Sequence, residues 1–525
     1  MSVKNYELKM NLKICLLLAA LLLLTDIWAS FFLPRADWRI NTAIIALQCL
    51  FILPLVYYAK DILNNGKKAL FSGIPSMEGL AFAAMATGFT GSLAVGINAL
   101  QGGLSLAGLL FAPMGLMLVM FLYVVYCQKQ SGFNNNQKLA AADSALNKTA
   151  AFVLPAVFAL ALAAALSCWF YGLGAAAAWQ VLGSVLLAAG AGVFVLADVL
   201  PQYFAIAKAK KEGYSFKDNI SAINAGQVTM AVFEETFAQG GGKEITDVIG
   251  IGISEARLLA LAAAVTDAAK GEFAELFKIQ AAGMELPLCS GVIKMHGGIS
   301  AQCKGKNIRI GQLDFVSSVA DVPKKFAAMQ QEFAAQGKKA FFVTGGRQLL
   351  GIIAVGEKIN SSLTPILEEL QKAGVRTVMF SSGSKQLAEY IGSKAGFTKT
   401  VAELSEEHQR ELTDAFCRTG EVVALLKPGA GCVEVILHGN TAEQCGALFL
   451  ENGNLRNLMQ AIKLSERLQK IRRQNNKLAL GMGGLWVLTA SCVWLLLFKT
   501  MLPGAVLALI MLFSGIIIWL NSRRL

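Results

Sequence analysis

The chain has 525 residues, of which 55% are hydrophobic and only 16% charged. Soluble domains carry about 25% charged residues, so a wholly soluble protein is excluded. Lysine and arginine number 47 against 35 acidic residues. In so apolar a chain, that excess marks the loops on one side of a membrane rather than a nucleic-acid surface.

Apolar runs approach the roughly 20 residues that a bilayer requires at 12–33, 43–58, 80–100, 104–126, 150–169 and 177–200. Two more follow at 478–498 and 502–520. The pattern predicts a polytopic α-helical membrane protein with eight spans. Lys4, Lys9 and Lys13 precede the first span, Lys60, Lys67 and Lys68 follow the second, and Lys129, Lys138 and Lys148 follow the fourth. Arg523 and Arg524 end the sequence. The positive-inside rule therefore puts both termini in the cytoplasm, with Arg35 and Arg39 as the dissent. The bilayer of the cell (inner or plasma) membrane is the one partner the composition names. It names no protein partner and gives no sign of nucleic acid.

Between about 205 and 477 the apolar runs shorten and charges rise. Residues 228–233, 352–355 and 377–380 read as buried strands, and 363–373 and 385–394 as amphipathic helices with Gly374 and Gly396 at C-cap positions. Alternating strands and helices predict a doubly wound parallel sheet, with a second domain inserted at 243–350. The ten cysteines are scattered without a C-x-x-C pair. They suggest neither a disulfide framework nor a zinc site.

Several segments resemble the P-type ATPases, and within them the heavy-metal-transporting branch. Residues 67–80 (KKALFSGIPSMEGL) look like the approach to that family's third span. VTMAVFEETFAQGGGKEITDV stands where the family has a strand ending in D-K-T-G-T-L-T. Residues 351–397 have the register of the segment carrying T-G-D, and 421–432 (EVVALLKPGAGC) that of the strand leading to G-D-G-x-N-D. AIKLSERLQKIRRQNNKLAL resembles the helix entering the penultimate span. The resemblance implies four spans in 1–127, two in 150–204 and two in 478–525. It also implies a haloacid-dehalogenase-like domain in 205–242 and 351–477, with a nucleotide-binding-like insert at 243–350.

The chemistry departs from that pattern. The family phosphorylates an aspartate with Mg²⁺ held by further carboxylates, a reaction governed by positioning and electrostatics. Glu234 stands at the phospho-acceptor position, its carboxylate displaced by about 1 Å, which can cost about 10²-fold. Glu235 replaces the family's lysine. T-G-D reads Ser381, Ser382, Gly383, and G-D-G-x-N-D reads Lys427, Pro428, Gly429, Ala430, Gly431, Cys432. His408 aligns with a further lysine. The short loop 128–149 occupies the place of an actuator domain, which needs at least about 50 residues, and it has no T-G-E.

No catalytic or metal-ligating residue is therefore expected, and no cofactor. The expected function is a non-catalytic pseudo-pump with a binding or regulatory role. The alternative is an ATP-driven heavy-metal cation transporter with atypical motifs, which requires Mg-ATP.

Other candidates carry two readings. Asp198 and Gln202, beside Pro201, are membrane ion-site candidates or a polar pair near the cytoplasmic end, with Asp198 held by a lysine such as Lys208. Asp26 is expected near the outer interface. His296, Gly297 and Gly298 lie where the family contacts nucleotide, or else form a tight strand turn, and Gly271-Glu272 replaces the family's His-Pro pair. Gly240–Gly242 read as a hinge, since no G-K-[ST] follows. Arg472, Arg473 and Lys477 read as interfacial anchors.

Overall fold

The computed structural model describes residues 3–31, 38–100, 108–131, 145–271, 273–429, 431–439, 445–494 and 501–525. The chain divides into two compact units, Met1–Gly226 with Ala461–Leu525, and Gln227–Gln460.

The first unit is helical. Among the described residues, seven helices are long and apolar enough to cross a membrane: Glu7–Ser30, Arg39–Tyr58, Met77–Asn98, Phe111–Gln130, Ala151–Phe170, Ala175–Lys211 and Gly504–Ser522. These match seven of the eight spans expected. The eighth, 478–498, falls on the second half of the long helix Arg456–Leu488, which runs into a π-helical turn at Thr489–Val493. Its last residues lie outside the described ones, as does most of the loop 128–149.

The sixth span is two helices, Ala175–Ala188 and Ala191–Lys211. Gly190 between them is left-handed (φ 72°, ψ 41°), a conformation that costs a non-glycine residue roughly 1–2 kcal/mol. The break leaves backbone groups without helical partners, which a span tolerates only where neighbouring protein covers them. The Ala189 carbonyl faces Gly483 of the long helix, whose missing side chain permits the approach. Eleven residues on, Pro201 interrupts the second piece and has no amide for the Ala197 carbonyl. Asn475 supplies the donor, its Nδ2 lying 3.5 Å from that oxygen. Asn475 also donates to Ser522 Oγ (2.9 Å) and accepts from Asn521 Nδ2 (2.8 Å), tying the last helix to the same point.

Between the second and third spans, the amphipathic helix Lys60–Phe71 packs through Gly66 on the start of Met77–Leu100. A Cβ at Gly66 would lie 2.2 Å from the Glu78 carbonyl, so glycine sets that contact.

The second unit is α/β. Six of its strands form a sheet in the order Gly446–Glu451, Cys432–His438, Val423–Pro428, Met230–Glu234, Arg376–Phe380, Lys399–Val401. The last four are parallel and the first two antiparallel additions. Helices Thr364–Lys372 and Lys385–Ala395 end before Gly374 and Gly396, both at positive φ, as their C-cap positions predict. The three central parallel strands are buried apolar runs along most of their length, as strands covered on both faces must be.

The inserted sheet is antiparallel, in the order Gln239–Gly250, Gln348–Ile359, Lys339–Gly345, Lys306–Gly311, Gly298–Cys303, Cys289–Met295. Its strands run from Gln239 to Ile359, wider at both ends than 243–350. Residues 352–355 belong to this sheet rather than to the parallel one. A short buried apolar run looks the same in either setting. Gly240–Gly242 sit at the start of its first strand, where the register slips.

The insert also corrects the cysteine reading. Cys289 and Cys303 are directly opposed on neighbouring strands, with Cα atoms 4.3 Å apart, and form a disulfide. A sequence separation of 14 hid the pair, because only the hairpin register brings them together.

Reporter fusions at Gly103 and Gly172 are expected to read as extracytoplasmic. A cytoplasmic signal at either would reverse the orientation taken from loop charge.

Candidate functional site

In an open parallel sheet, chemistry collects at the carboxyl ends of the strands. Here the ends of Met230–Glu234 and Arg376–Phe380 lie side by side, with Glu234 in register with Phe380. Val423–Pro428 flanks the first on its other side.

Glu234 closes its strand and caps the short helix Glu235–Ala238 without a side-chain bond to it. Burial pushes its carboxyl above the ordinary range, Lys427 pulls it back, and Glu406 pushes it further up. Glu235 is held rather than free. Ser381 Oγ donates to its Oε2, and Gln239 Nε2 donates to Oε1 at 3.1 Å. Ser381 in turn accepts the Gly383 amide at 2.9 Å. A Cβ at Gly383 would lie 3.6 Å from Glu235 Oε2, so a carboxylate restored there would meet another carboxylate.

At the third strand end, the Gly429 amide donates to the Cys432 carbonyl at 2.9 Å, closing a hairpin. His408 is engaged in capping the helix Glu406–Arg418, its Nδ1 2.9 Å from Ser405 Oγ.

These residues do not fit a Mg²⁺ ion, which wants several carboxylate and other oxygens in near-octahedral order. Among the described residues no three His, Cys, Asp or Glu side chains converge as a metal cluster.

In the insert, Gly297 turns the hairpin at φ 86° and its carbonyl accepts the Gln312 amide at 2.8 Å. The ring of Phe315 lies where a Cβ on Gly298 would be, 2.2 Å from its nearest atom. Backbone conformation and packing therefore account for the two glycines, while His296 is exposed beside them. The structure adds a feature that sequence reading missed. Phe273 and Phe341 meet edge-to-face at 5.3 Å, with Lys243 and Lys339 within 5.6 Å of the Phe273 ring. An aromatic face rimmed by two lysines suits a nucleotide base and its phosphates. Lys243, Phe273 and the pair Lys339 and Phe341 are far apart in sequence, so only Phe273, two residues after Gly271, offered a signal.

In the membrane unit, Asp198 and Gln202 stack one turn apart. Gln202 Nε2 donates to the Asp198 carbonyl (2.9 Å) and to its Oδ2 (3.3 Å). Arg472 Nε donates to Asp198 Oδ1, and both side chains of this pair are largely buried. Arg472 is thus Asp198's partner rather than an interfacial anchor. Lys208, proposed for that role, lies instead 4.0 Å from Glu212.

Fold and site together define a multi-pass membrane protein carrying a haloacid-dehalogenase-like α/β domain with an antiparallel insert. Residues 227–424 match the family described as haloacid dehalogenase-like hydrolase. The chain is 22% identical to the copper-transporting P-type ATPase of Rhizobium leguminosarum bv. viciae, over 73% of this chain and 48% of that protein. It is 25% identical to the zinc/cadmium/lead-transporting P-type ATPase of Escherichia coli (strain K12), over 54% of this chain and 40% of that one. It thus spans about half or less of the length of these curated relatives. The crystal structure of a zinc-transporting PIB-type ATPase in an E2.Pi state superposes with a TM-score of 0.68 at 17% identity, covering 100% of both chains. The chain is a distant homologue of the heavy-metal (PIB) branch of the P-type ATPases.

Two predictions follow from this geometry. Replacing Arg472 by Met leaves a buried charge unpaired, which costs about 3–5 kcal/mol. Thermal unfolding of the purified protein should show this loss, and adding Asp198→Asn should recover most of it. For Glu234, burial raises the folded carboxyl above its unfolded value. Its contribution is therefore greatest in acid and is lost as pH rises through the folded value. Glu234→Gln is expected to unfold at a higher temperature than the parent at neutral and alkaline pH, and to converge with it in acid.

Proposed function

We propose that this chain keeps the heavy-metal pump scaffold for a binding or regulatory role and does not form a phosphoenzyme. The observation that supports this is the pair Glu234 and Glu235 at the central strand end. A negative carboxylate held by Ser381 and Gln239 occupies the place where incoming phosphates need a positive charge. Among the described residues no third carboxylate converges with Glu234 and Glu235 to bring a metal to them. Positioning and electrostatics are nearly all that the protein contributes to phosphoryl transfer, so a site of this charge lacks the means. No resident cofactor is required on this reading.

A second reading is ATP-driven transport of a heavy-metal cation by an atypical site, with Mg-ATP as the energy source. The comparisons favour it, since the relatives are named for copper and for zinc, cadmium and lead. The lysine-rimmed aromatic face of the insert offers ATP a place. Asp198 is a poor cation ligand while it is paired with Arg472, and this weighs against the same reading.

The two readings part on one experiment. Purified protein incubated with Mg²⁺ and ³²P-ATP should carry no acid-stable label, and Glu234→Asp should stay equally blank. Losses within one cooperating site are non-additive, so restoring one member returns little. A hydroxylamine-sensitive label on either protein, or metal-stimulated ATP turnover, would establish the transporter reading instead.

A further inference from the structure

Asp26 lies in the last part of the first span and is fully buried. Neither of its carboxylate oxygens has a hydrogen-bond partner. Gln48 of the second span is equally buried, and its amide is likewise unpaired, though near enough to act on the carboxyl. The Leu109 carbonyl and Asp26 Oδ2 close over the same spot at Gly504, where an added Cβ would lie 1.8 Å from one and 2.8 Å from the other. Leu109 precedes the helix Phe111–Gln130, and Pro113 has no amide to offer its carbonyl. Ser30, one turn beyond Asp26 on the same helix face, has a buried hydroxyl without a partner as well.

Among the described residues no base is at hand. The only other charged residues of the first helix are Lys4, Glu7, Lys9 and Lys13, more than three turns away. The second span offers only Arg39, more than two turns from Gln48. Phe111–Gln130 carries a single charge, Lys129, at its far end, and Gly504–Ser522 carries none.

A lone carboxylate in such surroundings costs far more than a neutral acid. The neighbours also suit the acid form. A protonated carboxyl can donate to the Gln48 or Leu109 oxygen while accepting from the Gln48 amide nitrogen, whereas an ionised one could only accept from that nitrogen and would face the Leu109 oxygen as a like partial charge. Hard cations ask for about six to eight oxygens, and this place offers one carboxylate, one amide and one carbonyl. We propose that Asp26, Gln48 and the Leu109 carbonyl form a proton-binding site inside the membrane unit, with the proton carried on Asp26. The site stands apart from the proposed function and requires neither ATP nor a heavy metal.

The test uses the full-length protein in lipid nanodiscs with dicyclohexylcarbodiimide, which adds to protonated carboxyls in apolar surroundings. Mass spectrometry of the Asp26 peptide is expected to show labelling at neutral pH that falls about tenfold per pH unit above its titration point. Sodium, potassium, calcium and zinc chlorides should not protect it. Gln48→Leu should move the pH at which the label falls. Protection by any one cation would make this a cation site and overturn the proposal. An unmoved titration in Gln48→Leu would overturn the shared site. If the reagent fails to reach Asp26, infrared spectra decide: a protonated-carboxyl stretch lost in Asp26→Asn supports the proposal, and identical spectra overturn it.

Discussion

Hydrocarbon gives a backbone group nothing to bond with, and the membrane unit depends on how it meets that demand. Its sixth span is interrupted twice, by the left-handed Gly190 and by Pro201. Each interruption is covered by the long helix Arg456–Leu488, through Gly483 at the first and Asn475 at the second. Asn475 also binds the last helix through Ser522 and Asn521, while Arg472, one turn earlier, neutralises Asp198. Three helices are thereby fixed to one another by polar contacts rather than by apolar packing, which distinguishes little between helix partners in lipid.

The α/β unit obeys a different constraint, which separates the residues that hold the sheet from those at its strand ends. Its stability resides in strands such as Met230–Phe233 and Val423–Leu426 and in the glycines that stop its helices. The residues that would do chemistry sit beyond the strand ends, where they contribute little to the core. Glu234 at the phospho-acceptor position, and Gly383, Pro428 and Cys432 where the resemblance expects carboxylates, are therefore accommodated without disturbing the sheet. The Glu235–Ser381–Gln239 contacts satisfy the polar groups at this strand end.

What the sequence made legible follows the same division. Spans, parallel strands and C-cap glycines were readable because length, apolar run and left-handed backbone leave local marks. The limits of the insert were not, since residues 352–355 carry the same pattern in a parallel or an antiparallel sheet. Long-range pairings left no mark at all. Nothing local ties Cys289 to Cys303, Arg472 to Asp198, or Lys243 to Phe273. Among the candidate site residues, Glu234 was placed at its strand end by register. Gly298 gains a packing reason in Phe315, and Gly297 a conformational one in its positive φ, that no motif announces.

The two acids of the membrane unit show how far residue type alone can mislead. Asp198 was the more attractive in sequence, because it stands beside a proline in a helix where an ion site was expected. In the fold it has an arginine, a glutamine and an orientation fixed by both. Its charge is matched, and taking up a cation would mean displacing Arg472. Asp26 drew less notice, in an unbroken helix near a predicted interface. Yet its burial is complete and its oxygens have no partner. A carboxyl in apolar surroundings either finds a counter-charge or keeps its proton. Asp198 takes the first course and is thereby structural; for Asp26 no counter-charge stands among the described residues, and the second course is the one proposed.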